Sequence, residues 1–413
     1  MLFSQPYVIR SFNLRLLICC AITWLAASCL YPEDLATSGT INVVVVDATI
    51  TNLAEPQIIR LNRSKADPFT GRFGTLPLTG AAVEILVDSS HVVRLVETDS
   101  GHYQAPANFI GQVGHRYQLR FTLKEGTHYE SAAEVMGQAV PISRVYERFN
   151  PNSLSTGLLN SSVYRAANDI YVDWQDPANQ SNYYRWDWVL WEKQTWCRSC
   201  RGSYIVYAID PVTKQYTNQL LEDCYYPDRT YEPPYIDYNC RTECWEKLYN
   251  YDLTIFADTY SNGRLTTGQL VGRIPYYQYQ PCLVEVRQSA LSASAYAYFK
   301  LVQDQTQNTG GLADTPPTAP TGNIRNSANK GEAVVGYFTA SAVSTVRYWL
   351  DRTGNTGNAP GLFRALNAGR DPTPEPPGLL PYYLPKNSVG RPPTAVCVDS
   401  DSRTPFRPQG WQN

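Results

Sequence analysis

The chain has 413 residues, and its 35 basic and 37 acidic side chains leave a formal net charge of -2. This length allows two or three domains of about 150 residues each, and a near-neutral charge without a basic run disfavours a nucleic-acid-binding protein. Only 17% of the residues are charged, whereas the chain contains 30 Tyr, 29 Pro and 26 Gly, which is typical of strands and turns rather than long helices.

The N-terminus carries the features of an export signal. Two arginines precede an uncharged apolar stretch at residues 16–27, which is shorter than the roughly 20 residues that a membrane-spanning helix needs. Three small residues then lead to Cys29, an order that resembles the lipobox of bacterial lipoproteins. We therefore expect a lipoprotein signal peptide at 1–28, a diacylglycerol and fatty acid such as palmitate on Cys29, and a tether at 29–40. The alternative is an ordinary secretory signal that is cut near Ser28.

Residues 41–145 predict a first β domain. Short apolar strands alternate with turn sequences such as Thr98-Asp99-Ser100-Gly101, and Tyr117, Leu119 and Phe121 fall on one face of a strand. Strands at this spacing are typical of an Ig-like β-sandwich. The four histidines, all in this region, are expected near hairpin turns rather than at a metal site.

The remainder predicts a second β domain and a tail. Residues 146–350 are rich in aromatic residues and cysteine, with a single helix near 291–307 where apolar side chains recur at helical spacing. Residues 351–413 are rich in Pro and Gly and are expected to be an extended tail, either mobile or draped over the body. The predicted fold class is therefore mainly β, with an Ig-like sandwich, a second β-rich domain with one helix, and a Pro-rich tail.

Six cysteines lie within one stretch of the second domain, and an exported chain meets an oxidising compartment in which disulfides form. The candidates, with their pairing left open, are Cys197, Cys200, Cys224, Cys240, Cys244 and Cys282. The alternative is a zinc site built from Cys197-x-x-Cys200 and Cys240-x-x-x-Cys244, which the compartment disfavours. Cys397 is left over and can be free.

Aromatic side chains supply the candidate binding residues. Tyr184, Trp186 and Trp188 share one face of a strand, where they form either the core of a sheet or an exposed strip that stacks on sugars or apolar peptide side chains. Tyrosine-rich loops are adaptable contact surfaces. The candidates for cargo binding are Trp186, Trp188, Trp245, Tyr225, Tyr226 and Tyr235.

Catalytic patterns are weak in this sequence. Asp169, Asp173, Asp176 and Asp187 lie near the tryptophans, but acidic residues in β-loops are usually solvated, and a glycosidase pair is defined by its separation in space. The sequence has no phosphate loop, no Gly-x-Ser-x-Gly and no His-Glu-x-x-His. We therefore predict a protein that is not an enzyme and needs no cofactor or metal.

Several short motifs follow one another along the mature chain. They are Gly80-Ala81-Ala82-Val83, Gly101-His102-Tyr103, Asn182-Tyr183-Tyr184-Arg185-Trp186, Asn308-Thr309-Gly310-Gly311-Leu312, Gly322-Asn323-Ile324 and Gly336-Tyr337-Phe338-Thr339-Ala340-Ser341, with Cys397 and Arg407-Pro408-x-Gly-Trp411 near the end. As a set they resemble the domain-of-unknown-function 4249 family of outer-membrane lipoproteins. The Cys-rich insert at about 194–246 and the lack of a second C-terminal cysteine depart from the family pattern.

The resemblance implies a cell-envelope lipoprotein, commonly encoded beside TonB-dependent outer-membrane receptors, and it carries over no catalytic residue. We therefore expect an outer-membrane lipoprotein at the cell surface, held by its lipid anchor. It would act as a non-catalytic accessory or binding subunit of a TonB-dependent nutrient-uptake receptor, with glycan or peptide as cargo. The alternatives are a cell-envelope hydrolase acting on glycan or peptide, and a structural or adhesive envelope lipoprotein.

Overall fold

A computed structural model describes residues 43–66, 73–154, 164–201, 203–209, 212–213, 216–225, 235–307, 320–375 and 394–412. Within these ranges the chain forms 25 strands and two helices, so the predicted mainly β fold class is confirmed. None of the helices in these ranges has the length and apolarity needed to cross a bilayer. The predicted signal peptide, the acylated Cys29 and the tether lie outside the described residues.

The elements follow one another in chain order. The first ten strands are β1 (Val44–Thr51), β2 (Ile58–Ala66), β3 (Phe73–Pro77), β4 (Ala82–Val87), β5 (His91–Asp99), β6 (His102–Gln104), β7 (Arg116–Thr122), β8 (His128–Ser131), β9 (Glu134–Val135) and β10 (Ile142–Asn150). The next ten are β11 (Ala167–Gln175), β12 (Tyr183–Lys193), β13 (Trp196–Arg201), β14 (Ser203–Ile209), β15 (Tyr216–Tyr225), β16 (Tyr235–Cys240), β17 (Trp245–Tyr249), β18 (Thr254–Ala257), β19 (Leu265–Pro275) and β20 (Cys282–Leu291). The last elements are α1 (Ala293–Gln307), β21 (Ile324–Asn326), β22 (Val334–Ser341), β23 (Val343–Leu350), α2 (Leu362–Leu366), β24 (Thr394–Ala395) and β25 (Arg403–Thr404).

The first unit is one curled sheet of eleven described strands. Its order is β21-β8-β7-β4-β5-β6-β2-β1-β22, with β3 added to β2 and β9 added to β7. Alternate side chains of each strand point inward, so Tyr117, Leu119 and Phe121 of β7 are all buried in one core, as predicted. The finer expectation of an Ig-like sandwich is not confirmed, because the strands are joined into a single sheet that approaches a barrel.

Two strands from the far end of the chain complete this unit. β22 pairs in parallel with β1 along Val44–Thr51, and β21 pairs with β8. The sequence had led us to expect the first domain within residues 41–145. Its sheet also contains β21 and β22, which lie outside that range. The parallel pairing joins residues 290 positions apart, a contact that local sequence patterns do not encode.

The near-barrel has a seam where its two edge strands, β21 and β22, meet, and the Gly322-Asn323 motif closes it. The Asn323 side chain donates to the Phe338 carbonyl at 2.9 Å and accepts from the Phe338 amide at 2.9 Å. It therefore makes the two hydrogen bonds that the backbone of a neighbouring strand would make with Phe338. A Cβ on Gly322 would lie 1.6 Å from the Gly336 carbonyl oxygen, which only glycine permits. Gly336 itself has φ +119° and sits against the Val46 carbonyl.

The second unit is a two-layer β structure with its own core. A three-stranded sheet (β10-β11-β19) packs against a six-stranded sheet (β23-β20-β12-β17-β25, with β18 on β12). Helix α1 begins after Ser292, whose hydroxyl accepts from the Ala295 amide at 3.1 Å, and this matches the predicted helix near 291–307.

The two units are joined by a ladder of ion pairs. Arg287 of β20 donates to both carboxylate oxygens of Glu55, which follows β1, at 2.8 and 2.9 Å. Its neighbour Glu285 accepts from both Arg287 and Arg347. Bidentate arginine pairs fix orientation as well as distance, so this ladder sets how the second sheet meets the near-barrel.

The described parts of the Pro-rich tail are draped over the body. Residues 394–412 pair with the insert through β24 and with the second sheet through β25, and within 351–375 Pro374 forms an isolated bridge with Asp237 of the insert. Trp411 packs edge-on against both Trp245 and Trp349. Of the two expectations for the tail, the draped one describes these residues.

Candidate functional site

The aromatic strip predicted on β12 is part of the core. Trp186 is completely buried, its indole Nε1 donates to Gln288 Oε1 at 2.9 Å, and Trp174 lies 5.1 Å away between ring centres. Tyr184 is equally buried, and Trp188 is half-buried against the same core. Of the two arrangements that the sequence left open, Trp186 therefore has the core one, because the face it occupies is the inner face of the sandwich.

The other aromatic candidates have different positions. Trp245 is buried at 1% exposure beneath Trp411, so it is not a binding residue either. Tyr225 ends β15, where only the backbone is described, and Tyr226 lies outside the described residues. Tyr235 is 43% exposed, and the Arg370 guanidinium lies 4.8 Å above its ring. Of the candidates whose side chains the structure describes, Tyr235 is the most exposed.

The cysteines form disulfides in the insert. Cys197 is bonded to Cys240 and Cys244 to Cys397, and Cys200 is also disulfide-bonded. The sulfur atoms of Cys197, Cys244 and Cys397 lie within 4.8 Å of one another, since the two disulfides are neighbours in a small buried core. Because Cys197, Cys200, Cys240 and Cys244 are all in disulfides, they are not the thiolate ligands of the zinc alternative.

Two cysteine assignments differ from expectation. Cys282 was predicted to join a disulfide, but it is a free thiol at the start of β20, fully buried among apolar side chains. Burial raises the pKa of this thiol far above its usual value, so it is unreactive. Cys397, left over in the sequence, ties the C-terminal segment to Cys244.

The acidic residues near the tryptophans serve as local acceptors. Asp176 is buried and accepts from the Tyr184 hydroxyl at 2.5 Å and the Gly263 amide at 3.1 Å. Asp169 accepts from Asn150 and Ser153, and Asp173 accepts from the Gly268 amide. Each carboxylate holds its own loop or strand end, so these residues make structural contacts.

A pocket of about 340 Å³ opens where the insert meets the C-terminal segment. Three stretches line it: the turn between β12 and β13 (194–196), the loop between β19 and β20 (278–280), and the segment around α2 (359–364 and 371–372). The volume lies near the lower end of the roughly 300–1,000 Å³ typical of ligand sites. This pocket is the candidate functional site.

A buried ion pair holds the 278–280 loop that lines the pocket. Arg352 and Glu192 are both fully enclosed, and the guanidinium donates to the two carboxylate oxygens at 2.5 and 3.1 Å. Arg352 also donates to the backbone carbonyls of Gln278 and Gln280. The side-chain amide of Gln278 donates to Glu192 at 2.9 Å. The pair therefore fixes the backbone of the 278–280 loop.

A second buried carboxylate holds the residues that flank Asp371 and Pro372 of the lining. Asp237 of β16 accepts from both guanidinium nitrogens of Arg370 at 2.6 and 2.8 Å, from the Thr373 amide at 2.7 Å and from Ser199. Burial acts to raise the pKa of Asp237, but these hydrogen bonds outweigh it and hold the pKa below its usual range. Just before α2, the Gly361 backbone amide donates to the Tyr277 carbonyl at 2.8 Å, which ties this segment to the loop between β19 and β20.

The pocket combines aromatic rings with uncharged polar groups. Trp196 meets Phe363 edge to face with 5.8 Å between ring centres, and Tyr279 is 57% exposed at the rim. Glutamine side chains come from positions 194, 278 and 280. Sequence reasoning missed this site, because its walls come from segments more than 160 residues apart, one of them in the supposed tail. The one local signal was Pro360-Gly361 followed by the apolar Leu362 and Phe363, which indicates an ordered segment within the tail.

The comparisons place the chain in a family. Residues 32–347 match the family described as domain of unknown function, DUF4249. This chain belongs to the DUF4249 family. No curated protein and no solved structure shows significant similarity to it. Two of the DUF4249-like motifs meet in space, since Gly322-Asn323 and Gly336-Tyr337-Phe338 form the two sides of the seam.

Proposed function

We propose that this DUF4249 protein is an outer-membrane lipoprotein at the cell surface that binds cargo as a non-catalytic accessory of a TonB-dependent receptor. The sequence that carries the proposal is the apolar stretch at 16–27 followed by small residues and Cys29. A thioether-linked lipid with an acylated amine would hold the protein at the membrane, because each buried CH₂ contributes about 0.8 kcal/mol.

The disulfides support export from the cytoplasm. Cys197–Cys240 and Cys244–Cys397 join the insert and the C-terminal segment, and disulfides of this structural kind persist in oxidising compartments. A chain that kept these cysteines in the cytosol would have them reduced, and the C-terminal segment would lose its covalent attachment.

The pocket supports a binding role. Its loops are held by two buried carboxylate–arginine pairs, Glu192–Arg352 and Asp237–Arg370, so the lining is preorganised before any ligand arrives. A lipid anchor confines the protein to the membrane plane, which raises its effective concentration near a receptor. A modest contact with the receptor is then sufficient for cargo transfer.

The anchor is tested by mass spectrometry of the mature N-terminal peptide. We expect the peptide to begin at Cys29 and to carry fatty acyl chains, and we expect Cys29→Ala to release the protein from the membrane or leave it unprocessed. An unmodified peptide that extends upstream through Ser28 would overturn the lipoprotein assignment.

The partnership is tested by crosslinking intact cells and purifying the protein in detergent. We expect a TonB-dependent receptor to co-purify with the native chain and to be lost with Cys29→Ala, even when that variant is folded. Absence of any outer-membrane receptor, together with normal nutrient uptake in a deletion strain, would overturn the accessory role.

A further inference from the structure

The pocket offers hydrogen-bonding groups that the fold leaves unused. Within the described part of the chain, the side chains of Gln280 and Thr195 are exposed and make no hydrogen bond. The Tyr279 hydroxyl accepts from the Ala359 amide at 3.3 Å, so its own proton remains available to a ligand. These groups point to a ligand with several hydroxyls or amides.

The same pocket also presents apolar ring surface. Trp196 is partly exposed and packs edge-on against the buried Phe363 ring, and the exposed Tyr279 ring stands at the rim, 5.8 Å from and perpendicular to Tyr276. Aromatic rings contribute contact area that favours flat, partly apolar ligands. The segments around Gly361 and Thr373 are fixed by backbone hydrogen bonds, whereas β13, which begins at Trp196, is an edge strand that pairs with β16, so a dipeptide is kept as the competing ligand in the test.

The charges in the lining cancel. Arg364 and Asp371 are its charged side chains, and they form an exposed ion pair at 3.6 Å. A free peptide terminus or an acidic sugar would have to compete with this pair, whereas a neutral ligand would not.

We infer that the pocket binds a neutral saccharide of one or two rings. The sugar ring stacks on Tyr279 or on Trp196, and its hydroxyls are bound by Gln280, Thr195 and the Tyr279 hydroxyl. The inference rests on the proposed function, because it names the cargo that the accessory protein would capture.

The experiment uses the full-length acylated protein in a detergent without a sugar headgroup. Intrinsic tryptophan fluorescence and calorimetry follow the titration of maltose, cellobiose, lactose and chitobiose, with glycylglycine as the peptide probe. We expect saturable binding of at least one disaccharide and none of the dipeptide. Tyr279→Ala and Gln280→Ala are each expected to weaken binding about three- to tenfold, the loss that one stacking ring or one hydrogen bond represents.

The control is Tyr260→Ala, which removes another exposed tyrosine, 93% accessible, from a loop outside the pocket. It is expected to bind like the native chain, and circular dichroism confirms that all three variants are folded. Binding of none of the disaccharides, binding of the dipeptide instead, or unchanged binding in both pocket variants would overturn the inference. If a receptor co-purifies but no disaccharide binds, only the ligand class fails. If a disaccharide binds and no receptor co-purifies, only the partnership fails.

Discussion

Trp186 shows how far a residue pattern can be taken. Its spacing with Tyr184 and Trp188 correctly placed the three on one face of β12, because side chains alternate along a strand. The pattern did not say whether that face points to solvent or to another sheet. The answer depends on β10, β11 and β19, which cover it from elsewhere in the chain.

Trp186→Ala is expected to lower the free energy of unfolding by about 3–5 kcal/mol, because a fully buried indole leaves a large cavity and Gln288 loses its partner. Urea unfolding followed by circular dichroism measures the effect. Tyr260→Ala, at an exposed site, is the control and should change stability by less than about 0.5 kcal/mol. Equal effects of the two substitutions would contradict the burial of Trp186.

Asp237 makes stability depend on pH. Its pKa is lowered in the folded state, so its contribution is present above the unfolded pKa of about 3.9 and is lost as the pH falls through the lower folded value. We expect the native chain to lose more stability than Asp237→Asn between about pH 5 and pH 2. Parallel pH profiles for the two proteins would show that Asp237 is not held ionised by Arg370.

At the scale of elements, local signals were reliable and long-range ones were not. Helix α1 was predicted because Ser292 and the apolar spacing after it lie within one short segment. The placement of β21 and β22 beside β8 and β1 depends on contacts that no nearby residue specifies. For the same reason cysteine spacing could not select the Cys244–Cys397 pair, whose members are 153 residues apart.

The Cys244–Cys397 disulfide is expected to stabilise the fold by about 2–5 kcal/mol, since it closes a long loop in the unfolded chain. Cys244→Ser combined with Cys397→Ser should lower the free energy of unfolding, measured by urea denaturation, by that amount. In the native chain without reductant, alkylation should label none of Cys197, Cys240, Cys244 or Cys397. Cys282 should react only after denaturation, and labelling of Cys397 in the folded protein would contradict the pairing.

Gly322→Ala is expected to destabilise the near-barrel by at least about 1–3 kcal/mol, because the new Cβ would overlap the Gly336 carbonyl. Gly137→Ala is the matched control, since a Cβ there meets nothing within 4 Å. Thermal unfolding of the two variants compares them directly. A Gly322→Ala protein as stable as the Gly137→Ala protein would show that the seam can open without cost.

At the scale of the molecule, the two units cannot be separated at the boundary that composition indicated. A chain ending at residue 150 would lack β21 and β22 and would expose the edges of β8 and β1. We expect this fragment to be unfolded or aggregated by circular dichroism and size-exclusion chromatography. A monomeric fragment with cooperative unfolding would contradict the assignment of these strands to the first core.

The parallel pairing of β1 with β22 also sets an order of events in time. A chain that leaves the cytoplasm N-terminus first delivers β1 to the new compartment long before β22, which begins 290 residues later. Contacts of such sequence separation form slowly, since the loop between the partners must close first. In the proposed export the first strand must therefore wait with one edge unpaired until residue 341 has arrived, and an unpaired strand edge of this kind is prone to aggregation.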